Sequence, residues 1–270
     1  MNPTAMQMLP DVQEQADTRD VALDEVGIAG LSYPIRVVGP DGAVQSTVAE
    51  VDMTVSLAPA TRGTHMSRFV EVLHEARHRV SPGTALEMAA LLRQRLSADQ
   101  AQVSMRFPLF VEREAPVSAK RSMLRLDCRL DGDSGANGDT TRLGVVVPVT
   151  SLCPCSKEIS DYGAHSQRGH IDITVVRARS SDNPDIWPEE LLAIADAAAS
   201  APIIPLLKRA DERHLTMAAY DKPAFVEDLA RDVAVALRAD SRLAAFSVAV
   251  SNAESIHDHQ AVARVRWRRP

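Results

Sequence analysis

Seventeen consecutive residues, Leu152 to Arg168 (LCPCSKEISDYGAHSQR), hold two thiols, an imidazole, an ammonium group and two carboxylates. Cys153 and Cys155 flank Pro154. His165 follows Cys153 by twelve positions, in the small turn Gly163-Ala164-His165. Sulfur plus imidazole is the donor set that a borderline-soft ion such as zinc prefers. The bland alternative is a packed free cysteine and a turn histidine in ordinary hydrogen bonds. Against it, both residues sit in one short polar segment rather than on an apolar face. If that segment is extended, Cys153 and Cys155 face the same side and both sulfurs reach one ion. The reading favoured here puts one sulfur on the metal and the other behind it or simply packed. A redox pair would more often be spaced C-x-x-C. Cys128 lies in the alternating run LRLDCRL and reads as a packed residue.

Two further polar clusters lie downstream. Lys208-Arg209-Ala210-Asp211-Glu212 is ordinarily a solvated charged loop. Alternatively, one of its carboxylates completes a Cys-His-carboxylate set, which leaves a fourth position open, as catalytic rather than structural zinc sites do. Glu254-Ser255-Ile256-His257-Asp258-His259 reads as a hairpin connection with two imidazoles and two acids. An imidazole ordinarily titrates near neutrality, so His257 is a candidate general acid–base group. Glu227 and Asp228 open a helix, where acids favour the dipole; Glu227 is instead placed to accept N–H bonds from a purine edge if that helix start faces the pocket. Arg62, His65 and Arg68, with Lys157, Arg168, Lys208 and Arg209, are candidates for a basic pocket that would suit a polyphosphate. No Walker loop or dinucleotide glycine fingerprint occurs.

The elements that must hold these groups follow from periodicity and turn signals. The polar, aperiodic residues 1–28 predict a mobile or loosely docked arm. Strands are predicted at Leu31–Val38 and Thr47–Leu57, with helices at Met66–Arg79 and Pro82–Leu96, the second capped by Ser81. Strands at Gln102–Glu112 and Ser118–Leu130 complete a first half, 29–131. Residues 132–142 read as a flexible linker, rich in turn formers. The second half, 143–270, repeats the order: strands Leu143–Thr150 and His170–Arg177, helices Pro188–Ala199 and Ala224–Ala239, strands Ala244–Ser251 and Gln260–Trp267. A residue-level echo supports duplication. Ser56-Leu57-Ala58-Pro59 followed by Gly63-Thr64-His65-Met66-Ser67-Arg68 matches Ser151-Leu152-Cys153-Pro154 followed by Gly163-Ala164-His165-Ser166-Gln167-Arg168. Ala58 stands where the second copy has Cys153. The expected fold is α+β, two ββααββ halves with antiparallel sheets and helices on one face. Open sheet edges call for joining or oligomerisation.

Composition narrows the function classes. A net charge of −6 over 270 residues, from 36 acids and 30 bases, argues against a nucleic-acid or membrane-surface binder. Three cysteines make no disulfide framework. No signal peptide or membrane span is read, and a cytoplasmic location is expected.

The stretch PVTSLCPCSKEISDYGAHSQRG, with RGTHMSRF, LLKRADE, FVED, ESIHDH and the N-terminal LPDVQ, resembles type IB GTP cyclohydrolase I from about residue 9 to 262. The resemblance implies a bimodular tunnelling fold, a homotetramer with interfacial active sites, and GTP as substrate. It implies a divalent metal (zinc, manganese or iron(II)) on Cys153, His165 and Glu212, a guanine anchor at Glu227, and further active-site groups at Glu254 and His257. It also implies the product, 7,8-dihydroneopterin triphosphate with formate, at the entry to tetrahydrofolate synthesis. Where the family usually reads V-T-E after the D-E pair, this chain reads Leu215-Thr216-Met217. The rival readings are a nitrile reductase of the same fold, expected to show ESxK rather than ESIH, a cyclic-phosphate-forming cyclohydrolase, and a non-catalytic metal or thiol module.

Overall fold

A computed structural model of the chain describes residues 11–136, 138–178 and 184–270. Residues 1–10 of the expected arm, including the first two of LPDVQ, and residue 137 of the expected linker lie outside the described residues. Strands β1 (Leu23–Val38) and β2 (Val44–Leu57) form a hairpin. Helices α1 (Met66–Ala76) and α2 (Thr84–Arg95) follow, then strands β3 (Gln100–Glu114) and β4 (Arg121–Gly135). The chain continues through β5 (Thr140–Leu152), a short α3 (Pro154–Ile159), β6 (Ser166–Arg177), α4 (Pro188–Ala198) and the two-residue β7 (Ala201–Pro202). It ends with α5 (Arg209–Asp221), α6 (Val226–Ala239), β8 (Leu243–Ala253) and β9 (Gln260–Arg268). The fold class is α+β, a mostly antiparallel sheet with a few helices. One sheet runs in the order β1-β2-β3-β4-β5-β6-β8-β9, with β7 paired to β5. Among the described residues no helix is long and apolar enough to cross a membrane.

One face of this sheet is apolar and carries the helices. In β6, Gly169, Ile171, Ile173 and Val175 are buried while Arg168, His170 and Asp172 are exposed, the period of two that a one-sided strand requires. Val226, Leu229, Ala230, Val233 and Leu237 make the matching stripe on α6. Leu229 and Leu237 are at most 1 % exposed, and each contributes about 1.5–3 kcal/mol through burial. The other face is charged: Arg106 pairs with Glu50 at 2.8 Å and Asp52 at 2.6 Å.

Several boundaries differ from the sequence reading. The arm does not extend to residue 28, because β1 begins at Leu23; a register shift between Ile28 and Leu31 breaks the alternation there. The residues read as a linker are largely strand, since β4 and β5 pair from Asp127↔Val146 to Asp133↔Thr140 and join both runs of elements into one sheet. Turn-forming composition misled here. Asp131 pairs with Arg129 at 2.7 Å, and Asp133 pairs with Arg142. A Cβ on Gly132 would lie 2.2 Å from the Leu86 amide nitrogen, so this glycine serves close packing of α2 rather than a turn. Ser81 does not cap α2; Gly83 holds the cap position, and the Ser81 amide donates to Thr84 Oγ1 at 2.9 Å. Lys208–Glu212 is not a loop but the start of α5.

Candidate metal and substrate site

The end of β5 is clamped before the chain reaches its thiols. The Leu152 amide donates to Ser200 Oγ at 3.1 Å, and its carbonyl accepts from the Ala224 amide at 3.0 Å. Pro154 then sits in the first turn of α3, where its fixed φ favours a helix start. Cys153 becomes the N-cap, and its Sγ accepts from the Ser156 amide at 3.5 Å. The Cys153 amide donates to the His165 carbonyl at 3.1 Å. Twelve residues apart in sequence, the two are neighbours at the end of the β5–β6 hairpin, where Leu152 faces Ser166. Cys155 departs from expectation. It lies in a helical turn rather than an extended segment, and it is exposed while Cys153 is partly buried. The two sulfurs therefore do not share the spacing that an extended C-x-C would give.

His165 Nδ1 lies 3.0 Å from Gln167 Oε1 and 3.9 Å from Glu254 Oε2. Both neighbours are acceptors, so the proton belongs on Nδ1 and the Nε2 lone pair is left for a ligand. Glu254 is thus brought to the site, with only 12 % of its side chain exposed. It follows Asn252, whose Nδ2 donates to Ser151 Oγ at 2.7 Å. Gly169 faces Asn252 across the sheet; a Cβ there would sit 2.1 Å from Asn252 Oδ1, so the register at this end of the sheet needs glycine. His257 is placed differently. It is exposed and stacks on His259, centroids 5.0 Å apart.

The two acid pairs divide their labour. Asp211 is fully buried and accepts from the Val117 and Ser118 amides, the Ser118 hydroxyl and the Lys208 amide, all within 2.8 Å. Burial works to raise its pKa, but these bonds outweigh it and hold the carboxyl well below the usual range. Glu212, one residue on, is exposed. In α6 the Phe225 amide donates to Asp228 Oδ2 at 3.1 Å, which leaves Glu227 exposed. In each pair one carboxylate caps the helix and its neighbour is free for a ligand. Cys128 is buried, and that burial pushes its thiol up to about 12, so it is a packed residue as expected.

A cavity of about 620 Å³ opens beside this segment, walled by Leu152, Gly163, Ala164, Arg168, Glu212, Met217 and Tyr220. Among the described residues the expected basic groups do not gather in a single pocket. Arg168 and Glu212 line this cavity, whereas His65 and Arg68 line another, of about 460 Å³, with Gln13, Glu14 and Ala58. These cations, and the neighbouring Arg62, are already engaged: Arg62 on Gln15, His65 on Asp11 at 2.7 Å, and Arg68 on the Arg95 carbonyl at 3.0 Å. Lys157 Nζ donates to the Tyr220 carbonyl at 2.6 Å and stands 4.2 Å over that ring. Lys208 is exposed at the N-cap of α5. Among the described residues, the three-donor set with ligand atoms mutually within 4.8 Å is Asp11, Glu14 and His65. Cys153, His165 and Glu212 do not close to that distance in a single chain. Sequence reasoning missed Ser156, Gln167 and Asn252. Ser156 had a signal, three residues after a Cys-Pro helix start; Gln167 and Asn252 had none.

The model of the family described as type I GTP cyclohydrolase folE2 matches residues 9–263. The chain belongs to that family. It is 47% identical over 257 residues to GTP cyclohydrolase FolE2 of Methylococcus capsulatus, covering 95% of this chain and 94% of the relative. It is 46% identical over 266 residues to GTP cyclohydrolase FolE2 1 of Dechloromonas aromatica, covering 98% of each. In shape the chain is similar to the crystal structure of uricase from Arthrobacter globiformis, with a TM-score of 0.52 and 7% identity over 91% of this chain and 93% of that one, a likeness of fold alone.

Proposed function

We propose that the chain is a GTP cyclohydrolase I that converts GTP and water to 7,8-dihydroneopterin triphosphate and formate, the first step of tetrahydrofolate synthesis, and that it works in the cytoplasm. Family membership over nearly the whole chain supports the activity. The structural observation that carries the reading is the closed Cys153–His165 pairing, with Nε2 free, beside a cavity that also holds the uncommitted Glu212.

The donors fit a divalent ion. One sulfur, one imidazole nitrogen and one carboxylate form a mixed set that accepts zinc, manganese or iron(II) and leaves a position open. Cys153, His165 and Glu212 would hold it. An ion there supplies Lewis acidity, lowering the pKa of water towards about 7. The rest falls to the chain's own groups. Glu227 accepts two N–H bonds from the guanine edge and fixes the base. Arg168 and Lys208 hold the triphosphate by charge-assisted bonds; Arg62 and His65, engaged by Gln15 and Asp11 within the chain, join them by exchanging those bonds for phosphate oxygens. His257 delivers a proton to N7, which makes C8 electrophilic to water, and Glu254 keeps the His165 ring oriented. The opened formamide takes up a second water to release formate, and ring closure returns one water, so one is consumed overall.

The same reading includes a bimodular tunnelling fold assembled as a homotetramer. It is supported by the outer edge of β9 and that of β1 ahead of Arg36, which pair with no strand of the described residues, and by the exposed apolar groups Tyr162, Met217 and Tyr220 around the cavity. It would also bring first-half and second-half cations, separate within one chain, to a shared interfacial site. The test is to supply GTP with each metal in turn and follow formate and pterin fluorescence together. Both signals, with an open-chain triphosphate in the product, support the reading. A cyclic phosphate product or no turnover with any metal overturns it.

A further inference from the structure

We propose that Ser156 is a positioning residue of the metal site, holding Cys153 and His165 in ligand register before an ion binds. The inference rests on the proposed metal reading of those two residues. Four hydrogen bonds close the ring of Cys153, Ser156 and His165, and three of them belong to Ser156. Its amide donates to Cys153 Sγ at 3.5 Å, its hydroxyl donates to the Cys153 carbonyl at 3.1 Å, and the same oxygen accepts from the His165 amide at 3.2 Å. The fourth runs from the Cys153 amide to the His165 carbonyl at 3.1 Å.

A hydroxyl is the group that can donate to one backbone and accept from another at once. The two bonds made by the Ser156 oxygen are not equivalent. The Cys153 carbonyl also accepts from the Lys157 amide at 3.2 Å, so it keeps a partner without the serine oxygen. The His165 amide has the serine oxygen as its partner, and its loss frees the turn that sets where the imidazole stands. The hairpin bond between Cys153 and His165 persists in either case. Removing the hydroxyl therefore leaves the chain folded and loosens the ligand geometry. Outer partners of metal ligands typically matter by 10–100-fold in affinity.

The experiment measures zinc affinity by chelator competition on the full-length protein carrying Ser156→Ala, Ser156→Thr or Ser156→Val. Thermal stability of the metal-free forms and the thiolate-to-metal absorption of the cobalt(II) forms are recorded alongside. Ser156→Ala is expected to weaken zinc binding by roughly 10–100-fold and to shift the cobalt spectrum, with Ser156→Thr close to the unaltered protein. The isosteric pair Thr and Val isolates the hydroxyl should the alanine variant fail to fold. Unchanged affinity in Ser156→Ala, or equal weakening in Ser156→Thr and Ser156→Val, overturns the proposal. Cys153→Ala in the same titration separates the two layers. If it too binds zinc normally, the metal reading itself falls, not only the role of Ser156.

Discussion

Two cavities follow the same S-L-x-P and G-x-H-x-x-R frame, yet they are provisioned in opposite ways. Leu57, Gly63, Thr64 and Arg68 line the first, and Leu152, Gly163, Ala164 and Arg168 line the second. In the first, Ala58 stands where the second has Cys153. Residues 11–17 of the same chain also lie along the first. The Gly63 amide donates to the Gln13 carbonyl at 3.2 Å, the Arg62 amide to the Gln15 carbonyl at 3.1 Å, and Asp11 takes the His65 imidazole. That bond holds the Asp11 carboxyl below its ordinary value. In the second, His165 is held from its Nδ1 side alone, and Arg168 has no carboxylate partner among the described residues. One frame thus yields a pocket whose polar groups are satisfied by its own chain and another whose polar groups are held ready for a ligand. The lesson is that residue type at a motif position says less than whether its hydrogen-bonding capacity is already spent.

The largest expected effect comes from making the pockets alike. Cys153→Ala, which copies Ala58, should abolish retained metal and lower GTP turnover by more than the roughly 10–100-fold that loss of a ligand's supporting partner costs. Ala58→Cys should leave metal content per chain unchanged; elemental analysis and the formate assay check both. Next comes the tie between the start of α5 and the β3–β4 turn. Asp211→Asn should lower the melting temperature, because the Val117–Ser118 turn and the Lys208 amide lose a charged acceptor. The sign with pH follows from the depressed pKa of Asp211 in the folded chain. Its contribution is fully present above the unfolded carboxylate pKa of about 4 and is lost as pH falls below it. Melting curves taken downward from pH 6 should therefore converge for the two proteins. Glu227→Ala should erase discrimination for guanine over other purines without loss of stability. Its neighbour Asp228→Ala should cost about 1 kcal/mol of helix capping and leave discrimination intact, as denaturation and competition kinetics would read. Smallest is Lys157→Met. It should change turnover less than twofold and cost about 0.5–1 kcal/mol for the lost contact over Tyr220.

The strands and the helices α1, α2, α4 and α6 were legible because one face of each is buried, and that imprints a period of 2 or 3.6 on the apolar residues; α5, which opens on the charge run Lys208–Glu212, was not. Leu229, Val233 and Leu237 announce α6 without further information. The segment 131–135 was not legible, since its acids and glycines have turn composition. What makes it a strand is the arginine partners of Asp131 and Asp133 and the close approach of α2 at Gly132, all contacts with other parts of the chain. At the site, the residue types and the pairing of Cys153 with His165 could be read, because local spacing brings them together. The helical turn at Pro154 could have been read and was not; Pro at a helix start is a known signal, and it separates Cys155 from Cys153. The split of each acid pair into a capping and a free carboxylate depended on knowing where α5 and α6 begin. The engagement of Lys157, Arg62 and His65 was illegible, since each is fixed by a partner between 47 and 63 positions away along the chain.

The comparison of the two pockets rests on where the ion binds, and one paired measurement addresses that directly. Metal content per chain and GTP turnover would be determined for His165→Ala and His65→Ala, each loaded with zinc, manganese or iron(II) after stripping. The account predicts that His165→Ala retains no ion and makes no formate, while His65→Ala keeps one ion per chain. A protein that keeps its ion without His165 and loses it without His65 would place the metal on Asp11, Glu14 and His65 instead, and would contradict the account.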